Sequence, residues 1–185
     1  MEILKEYINY EETIKGSRFL SELFPCDSQA GARELVKAQK AKYADATHVV
    51  HAFVIGPGAE VMGMSDDGEP SGTAGRPALD VLRGHACTNT VLTITRWFGG
   101  TLLGTGGLVK AYGNGAKGVL AAADEAGLFE ELVAKKKISP LQPTIHFTNS
   151  SKTTWSFFTS PILPKTSAQK SKSQARSTKA SIRYL

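Results

Sequence analysis

The sequence predicts an α+β domain: a mostly antiparallel sheet with two longer helices and one short helix. Short β-branched and aromatic runs bounded by Gly, Pro and Asp predict strands. Two longer segments carry apolar residues at helical spacing, which predicts amphipathic helices. With 185 residues, 41% of them hydrophobic, the chain is long enough for one globular domain or two small ones.

The N-terminal part predicts two strands and a helix. Residues 3–10 and 18–25 are each typical of a strand, because apolar and β-branched residues recur between turn-forming residues. Asp27 or Ser28 provides an N-cap for a helix over residues 29–43.

The remaining elements follow from turn chemistry and periodicity. Residues 48–56 and 60–64 predict a hairpin, and a short helix is expected to start with Pro77 at its first position. Residues 89–98 predict the best-defined strand, and residues 128–134 are expected to close the sheet. Between them, a helix is expected to bury one stripe: Leu108, Tyr112, Gly115, Ala116, Val119 and Ala123.

The charge distribution divides the chain near residue 137. Residues 1–137 hold 15 Lys and Arg and all 17 acidic residues, a net charge of −2, whereas residues 138–185 hold the other 7 basic residues. The later segment also lacks glycine and apolar periodicity, which is typical of disorder. We therefore expect one domain over residues 1–134 and a basic Ser/Thr-rich tail over 138–185. A frameshift at Lys135–Lys137 or a nucleic-acid-binding arm would each account for this tail.

Composition also bears on location. No apolar run approaches the roughly 20 residues of a membrane span, and the acidic N-terminus is unlike a signal peptide. Two cysteines do not form a disulfide framework. A cytoplasmic protein without a membrane segment is the expectation.

No metal or nucleotide cofactor is expected. His48 and His51 lie three apart on a strand and so face opposite sides, and His85 with Cys87 supplies only two zinc ligands. Residues 113–118 match G-x-G-x-x-G but lie within a predicted helix instead of a strand-to-helix turn. Close packing of this helix on the sheet is a better explanation of those glycines.

Two glycine-rich loops hold the candidate site. The first, "SDDGEPSGTAGR" at 65–76, places acids beside small residues, and the second, "GGTLLGTGG" at 99–107, precedes a helix. Arg96 ends an otherwise apolar strand row, so its guanidinium either pairs with an anion or extends to solvent. We expect Asp66 or Asp67 to pair with Arg96, in bidentate geometry if the site is partly buried, with both loops forming one pocket. The candidate ligand- or partner-binding residues are Asp66, Asp67, Glu69, Ser71, Thr73, Arg76, Arg96, Gly99, Gly100, Gly104, Gly106 and Gly107.

Two roles for this network are open. It could only lock a complex turn, with the acids satisfying the positive helix starts that follow each loop. Alternatively, an anionic ligand such as a phosphate could displace the internal carboxylates at those starts.

The two loops together resemble the YigZ/IMPACT family. The resemblance rests on "SDDGEPSGTAGRPALDVL", "ITRWFGGTLLGTGGLVKAYGNGAK", "DATH" and "KGSRF", and it covers about residues 10–134. It implies an α+β fold similar to a domain of ribosomal proteins and elongation factor G. Bacterial members carry a second, ferredoxin-like domain, which the sequence after residue 137 does not match.

The resemblance implies a regulator or binding protein of the translation apparatus, with translation factors, the ribosome or RNA as partners. Stress-responsive regulation is known for eukaryotic relatives. The net charge of −2 over residues 1–137 lacks the basic footprint of an RNA binder. The alternative is a small enzyme binding a phosphate or carboxylate at the loops. No nucleophile–base pair is evident in the sequence, which favours a binding protein over an enzyme.

Overall fold

The computed structural model describes residues 1–132 of the chain. The expectations for residues 138–185 therefore concern residues outside the described range. In chain order the elements are β1 (Glu2–Leu4), β2 (Ile8–Ile14), β3 (Ser17–Pro25), α1 (Gln29–Lys42), β4 (His48–Ile55), β5 (Val61–Ser65), α2 (Gly75–Gly84), β6 (Cys87–Thr88), β7 (Thr90–Trp97), α3 (Thr105–Glu125) and β8 (Phe129–Glu131). The α+β prediction, with two longer helices and one short one, is confirmed.

A five-stranded antiparallel sheet forms the centre of the fold, in the order β2-β3-β7-β4-β5. Strand β7 occupies the middle of the sheet, and every residue from Thr90 to Arg96 is buried. Its β-branched residues pack well on both faces of a sheet. It pairs along its whole length with β3 and along most of it with β4.

Helices cover both faces of this sheet. On one face, Leu92 and Ile94 of β7 are fully buried in the larger core, against residues of α2 and α3. On the other, Val91 packs with Phe53 and residues of α1 in a smaller cluster. Full burial of each aliphatic side chain stabilises the fold by about 2 kcal/mol.

Glycines let α3 approach the sheet closely. A Cβ at Gly115 would lie 2.6 Å from Oγ of Ser21, and one at Gly118 would lie 2.5 Å from the ring of Tyr10. Helix-to-sheet packing therefore accounts for two of the three glycines in the G-x-G-x-x-G sequence.

Three local predictions were wrong. The single strand over 3–10 is two strands, because the backbone N–H of Lys5 turns to the carbonyl of Leu128 and β1 leaves the main sheet. Strand β8 pairs with β1 in a separate three-stranded sheet instead of closing the main one. Helix α2 starts at Gly75, so Pro77 is its third residue, where the missing N–H still has no intrahelical acceptor.

No helix among residues 1–132 is long and apolar enough to cross a membrane.

Candidate functional site

The two glycine-rich loops meet above the end of β7 and enclose a cleft of about 440 Å³. Strand β7 contributes Arg96 to its floor, and β4 contributes His48 directly opposite in the sheet register. The cleft is lined by Thr47, His48, Gly68, Glu69, Pro70, Arg96, Phe98, Leu102, Leu103, Gly104, Thr105 and Leu108.

A buried ion pair forms the floor of this cleft. Nη1 of Arg96 donates to Oε1 of Glu69 at 2.6 Å, and the hydroxyl of Tyr112 donates to the same oxygen at 2.7 Å. All three residues are buried. The expected pairing of Arg96 with Asp66 or Asp67 in bidentate geometry was wrong, because one oxygen of Glu69 receives a single guanidinium nitrogen.

Asp66 holds the start of α2. Its carboxylate accepts hydrogen bonds from the backbone N–H groups of Gly72, Ala74 and Gly75, at 2.7–3.1 Å. Burial alone would raise the pKa of Asp66, but these three hydrogen bonds outweigh it and lower the pKa. The carboxylate of Asp66 therefore joins the loop to the start of α2 and does not pair with Arg96.

Asp67 ties the same loop to its surroundings. One carboxylate oxygen pairs with the ammonium group of Lys40 in α1, and the other accepts from the backbone N–H of Val49 at 2.7 Å. Its backbone has a φ of +47°, which is uncommon for a residue other than glycine. With Asp66 and Asp67 both engaged, Glu69 is the acid that reaches Arg96.

His48 lies beside the ion pair and lines the cleft, although it is not among the predicted site residues. Its Nδ1 lies 2.8 Å from the backbone carbonyl oxygen of Asp67, and its Nε2 lies 3.8 Å from Oε1 of Glu69. A carbonyl can only accept, so the neutral ring carries its proton on Nδ1 and presents bare Nε2. The feature that could have revealed this role is the position of His48 opposite Arg96 on the adjacent strand. That position is known only once the strand register is known.

Of the twelve predicted site residues, Glu69, Arg96 and Gly104 line the cleft, and the other nine lie outside its lining. Thr73, Arg76 and Ser71 are among these nine. The hydroxyl of Thr73 donates to the backbone carbonyl of Pro70 at 2.6 Å and closes the turn. Arg76 is exposed, and its Nε lies 3.0 Å from both carboxylate oxygens of Asp80. Ser71 is exposed in the same loop. These residues shape or flank the loop without facing the ion pair.

The second loop crosses the turn between β2 and β3 at very short range. A Cβ at Gly99 would lie 1.9 Å from the carbonyl carbon of Gly16, so only glycine fits there. The N–H of Gly99 also donates to Oγ of Ser17 at 3.2 Å. Gly100 and Gly104 both have positive φ values.

Helix α3 begins at the edge of the cleft without a side-chain cap. Gly104 is its N-cap residue and forms no side-chain hydrogen bond, and no acidic residue lies in the first turn. Gly106 and Gly107 line a neighbouring depression instead, together with Lys15 and Lys110. The first backbone N–H groups of α3 have no intrahelical acceptor.

The rim of the cleft is apolar and exposed. Leu102 is 82% exposed and Phe98 is 45% exposed, although both are large hydrophobic side chains. Sequence reasoning missed them, because an isolated exposed Leu or Phe is common on protein surfaces. Only their grouping around one opening distinguishes them.

Tyr112 has little capacity for acid–base chemistry. Burial, together with the adjacent Glu69, raises the pKa of Tyr112 far above its usual value, so its hydroxyl stays protonated. Among residues 1–132, no group of three or more His, Cys, Asp and Glu side chains is arranged to hold a metal ion.

Comparison with known proteins identifies the family. The sequence profile of the Impact N-terminal domain matches residues 15–120, more than half of the chain. The chain belongs to the IMPACT N-terminal domain family. Both loops of the cleft and the strands that carry its floor lie within the matched range. The resemblance noted in the sequence is thus confirmed.

Curated IMPACT family members are similar over the same region. The chain is 42% identical to YvyE of Bacillus subtilis over 110 residues, covering 60% of this chain and 51% of YvyE. It is 44% identical to YigZ of Escherichia coli over 111 residues, covering 59% of this chain and 54% of YigZ. The match therefore spans about half the length of these two relatives.

A solved structure described as that of a hypothetical protein is also similar. It aligns with a TM-score of 0.62 at 41% sequence identity, covering 65% of this chain and 59% of that protein. The fold of the IMPACT domain described above is therefore shared with an experimentally determined structure.

Proposed function

We propose that this chain is a binding protein of the translation apparatus that holds a partner protein at the cleft. Membership in the IMPACT family supports the connection with translation, because the motifs shared with that family imply regulators of translation. The geometry of the cleft supports binding.

The exposed apolar rim around a neutralised floor is the observation that carries this proposal. Leu102 and Phe98 expose apolar surface that would be removed from water by a partner. Below them, the charges of Arg96 and Glu69 cancel each other. An apolar opening with a few fixed polar groups is typical of a recognition site.

Charge favours a protein partner over RNA. Residues 1–132 hold 12 Lys and Arg against 17 acidic residues, a net charge of −5. An RNA-binding domain would be expected to present a basic surface to the phosphates. A neutral or basic protein surface is the complementary partner.

Photo-crosslinking from the rim tests this function. The full chain would carry p-benzoylphenylalanine in place of Leu102, and the matched control would carry it in place of Val61, an exposed apolar residue on β5 outside the cleft. Irradiation in a cell lysate, followed by mass spectrometry, should recover ribosomal proteins or translation factors from the Leu102 position only.

Ribosome co-sedimentation provides the second readout. Leu102→Glu should reduce recovery with ribosomes or translation factors at least about fivefold, and Val61→Glu should leave it unchanged. If neither cross-linking nor co-sedimentation finds a translation component, the proposed function is wrong. Binding of phosphate or a small carboxylate at the cleft would then favour the enzyme alternative.

A further inference from the structure

Two hydrogen-bond acceptors on the floor of the cleft are free to bind a ligand. One is Nε2 of His48, which is bare in the neutral ring because Nδ1 holds its proton toward the carbonyl of Asp67. The other is Oε2 of Glu69. Within residues 1–132 no hydrogen bond is donated to this oxygen, and Glu69 lines the cleft.

The side-chain donors of the floor are engaged, except Nε of Arg96, which is buried without a hydrogen-bond partner among residues 1–132 and is therefore not exposed to the cleft. Nη1 of Arg96 and the hydroxyl of Tyr112 both donate to Oε1 of Glu69. Nη2 of Arg96 is 3.5 Å from Oγ of Ser17. A carboxylate oxygen and an imidazole nitrogen that lack donors select a group rich in N–H, and a charged one forms the stronger hydrogen bonds.

We propose that the cleft binds a Lys or Arg side chain from a basic segment of the partner protein. The charged head of this side chain donates to Oε2 of Glu69 and Nε2 of His48, below the apolar rim. Its methylene stem packs against Leu102 and Leu108, as long basic side chains do on apolar surface. The net charge of −5 on residues 1–132 attracts such a segment. This inference rests on the proposed function, since it names the chemistry that the partner presents to the same cleft.

Small probes test the chemistry without the partner. The ¹⁵N-labelled full chain would be titrated with N-acetyl-arginine amide, with N-acetyl-citrulline amide, which has nearly the same shape without the charge, and with inorganic phosphate. The arginine probe should shift the amide signals of His48, Gly68 and Thr105. The citrulline probe should bind at least about tenfold more weakly, and phosphate should leave these signals in place.

Variants locate the binding within the cleft. Glu69→Gln keeps the size of the side chain and should weaken the arginine probe at least about tenfold. His48→Phe keeps a ring without Nε2 and should weaken it at least about threefold, which provides the same test if Glu69→Gln does not fold. Val109→Ala, on the exposed side of α3 and outside the cleft, should bind as the unmodified chain does.

Several results would overturn the inference. These are equal affinity for the arginine and citrulline probes, unchanged affinity in a folded Glu69→Gln or His48→Phe variant, or shifts at the cleft caused by phosphate alone. Signals of the cleft that broaden with protein concentration would identify a second copy of the chain as the occupant. Arginine binding without recovery of any translation component would refute the proposed function and leave this inference standing.

Discussion

Replacing Arg96 by methionine would leave the carboxylate of Glu69 buried without its positive partner. Arg96 is 5% exposed and Glu69 is 8% exposed, so water would only partly replace the guanidinium. Breaking one side of a buried ion pair typically costs 3–5 kcal/mol, and Tyr112 would remain as a single neutral donor. We therefore expect Arg96→Met to lower the free energy of unfolding by about 4 kcal/mol.

This loss is large compared with the whole stability of a typical domain, about 5–15 kcal/mol. With a urea m-value of about 2 kcal/mol/M, the unfolding midpoint would fall by about 2 M. Urea titration at pH 7, followed by far-ultraviolet circular dichroism, measures this shift in the full chain.

The double variant Arg96→Met/Glu69→Gln separates the cost of an unpaired charge from the loss of packing. Gln at position 69 removes the charge and still accepts from Tyr112, so the double variant should regain at least about 2 kcal/mol over Arg96→Met. The reasoning is refuted if Arg96→Met costs less than about 1 kcal/mol, or if the two substitutions are additive. In either case the charge pairing of Arg96 with Glu69 would not stabilise the fold as proposed.

Three further predictions concern the surroundings of the cleft. Asp66→Ala should lower the free energy of unfolding by about 1–2 kcal/mol at pH 7. Because the folded pKa of Asp66 is lowered, this stabilisation is present above the unfolded pKa and is lost as pH falls through the folded pKa. A stability loss on substitution that stays the same at acidic pH in urea titrations would contradict this prediction. Gly99→Ala should lower the free energy of unfolding by at least about 2 kcal/mol, because the added methyl group would overlap the backbone of Gly16. At Gly106 an added methyl group meets open space, so Gly106→Ala should lower it by less than about 1 kcal/mol. Equal shifts in melting temperature for the two variants would contradict this difference. Burial raises the pKa of Cys87 to about 11, so a thiol reagent at pH 8 should modify half-exposed Cys26 rapidly and Cys87 only after unfolding; rapid modification of both thiols in the folded chain would show that Cys87 is accessible.

Most helices and strands of the central sheet could be predicted from the sequence, because their signals are local. The N-cap at Ser28 bonds to Gly31, as its position before the helix indicated. The buried stripe of α3 follows from its 3.6-residue period, and all six predicted residues are buried. The loop motifs likewise indicated the IMPACT family, because an ordered sequence motif is visible without coordinates.

The strand boundaries that failed were those set by distant partners. Residues 3–10 have a continuous strand-like pattern, but β1 pairs with β6 and β8, which follow it by more than 80 residues. Strand propensity describes one chain segment and contains no record of which sheet that segment will join.

The candidate site divides in the same way. Local sequence was sufficient to predict that Arg96 ends an apolar row, because alternation along one strand places its side chain. It left open whether the guanidinium pairs with an anion or extends to solvent. The choice of Glu69 over Asp66 and Asp67, the position of His48 and the grouping of Leu102 with Phe98 depended on the assembled fold. The acids lie within four residues of one another, and only the tertiary positions of α1, α2 and Val49 engage two of them and leave the third for Arg96. Hydrogen bonding and charge pairing act over a few ångströms in space, so residues far apart in the chain decide which acid becomes the floor of the cleft.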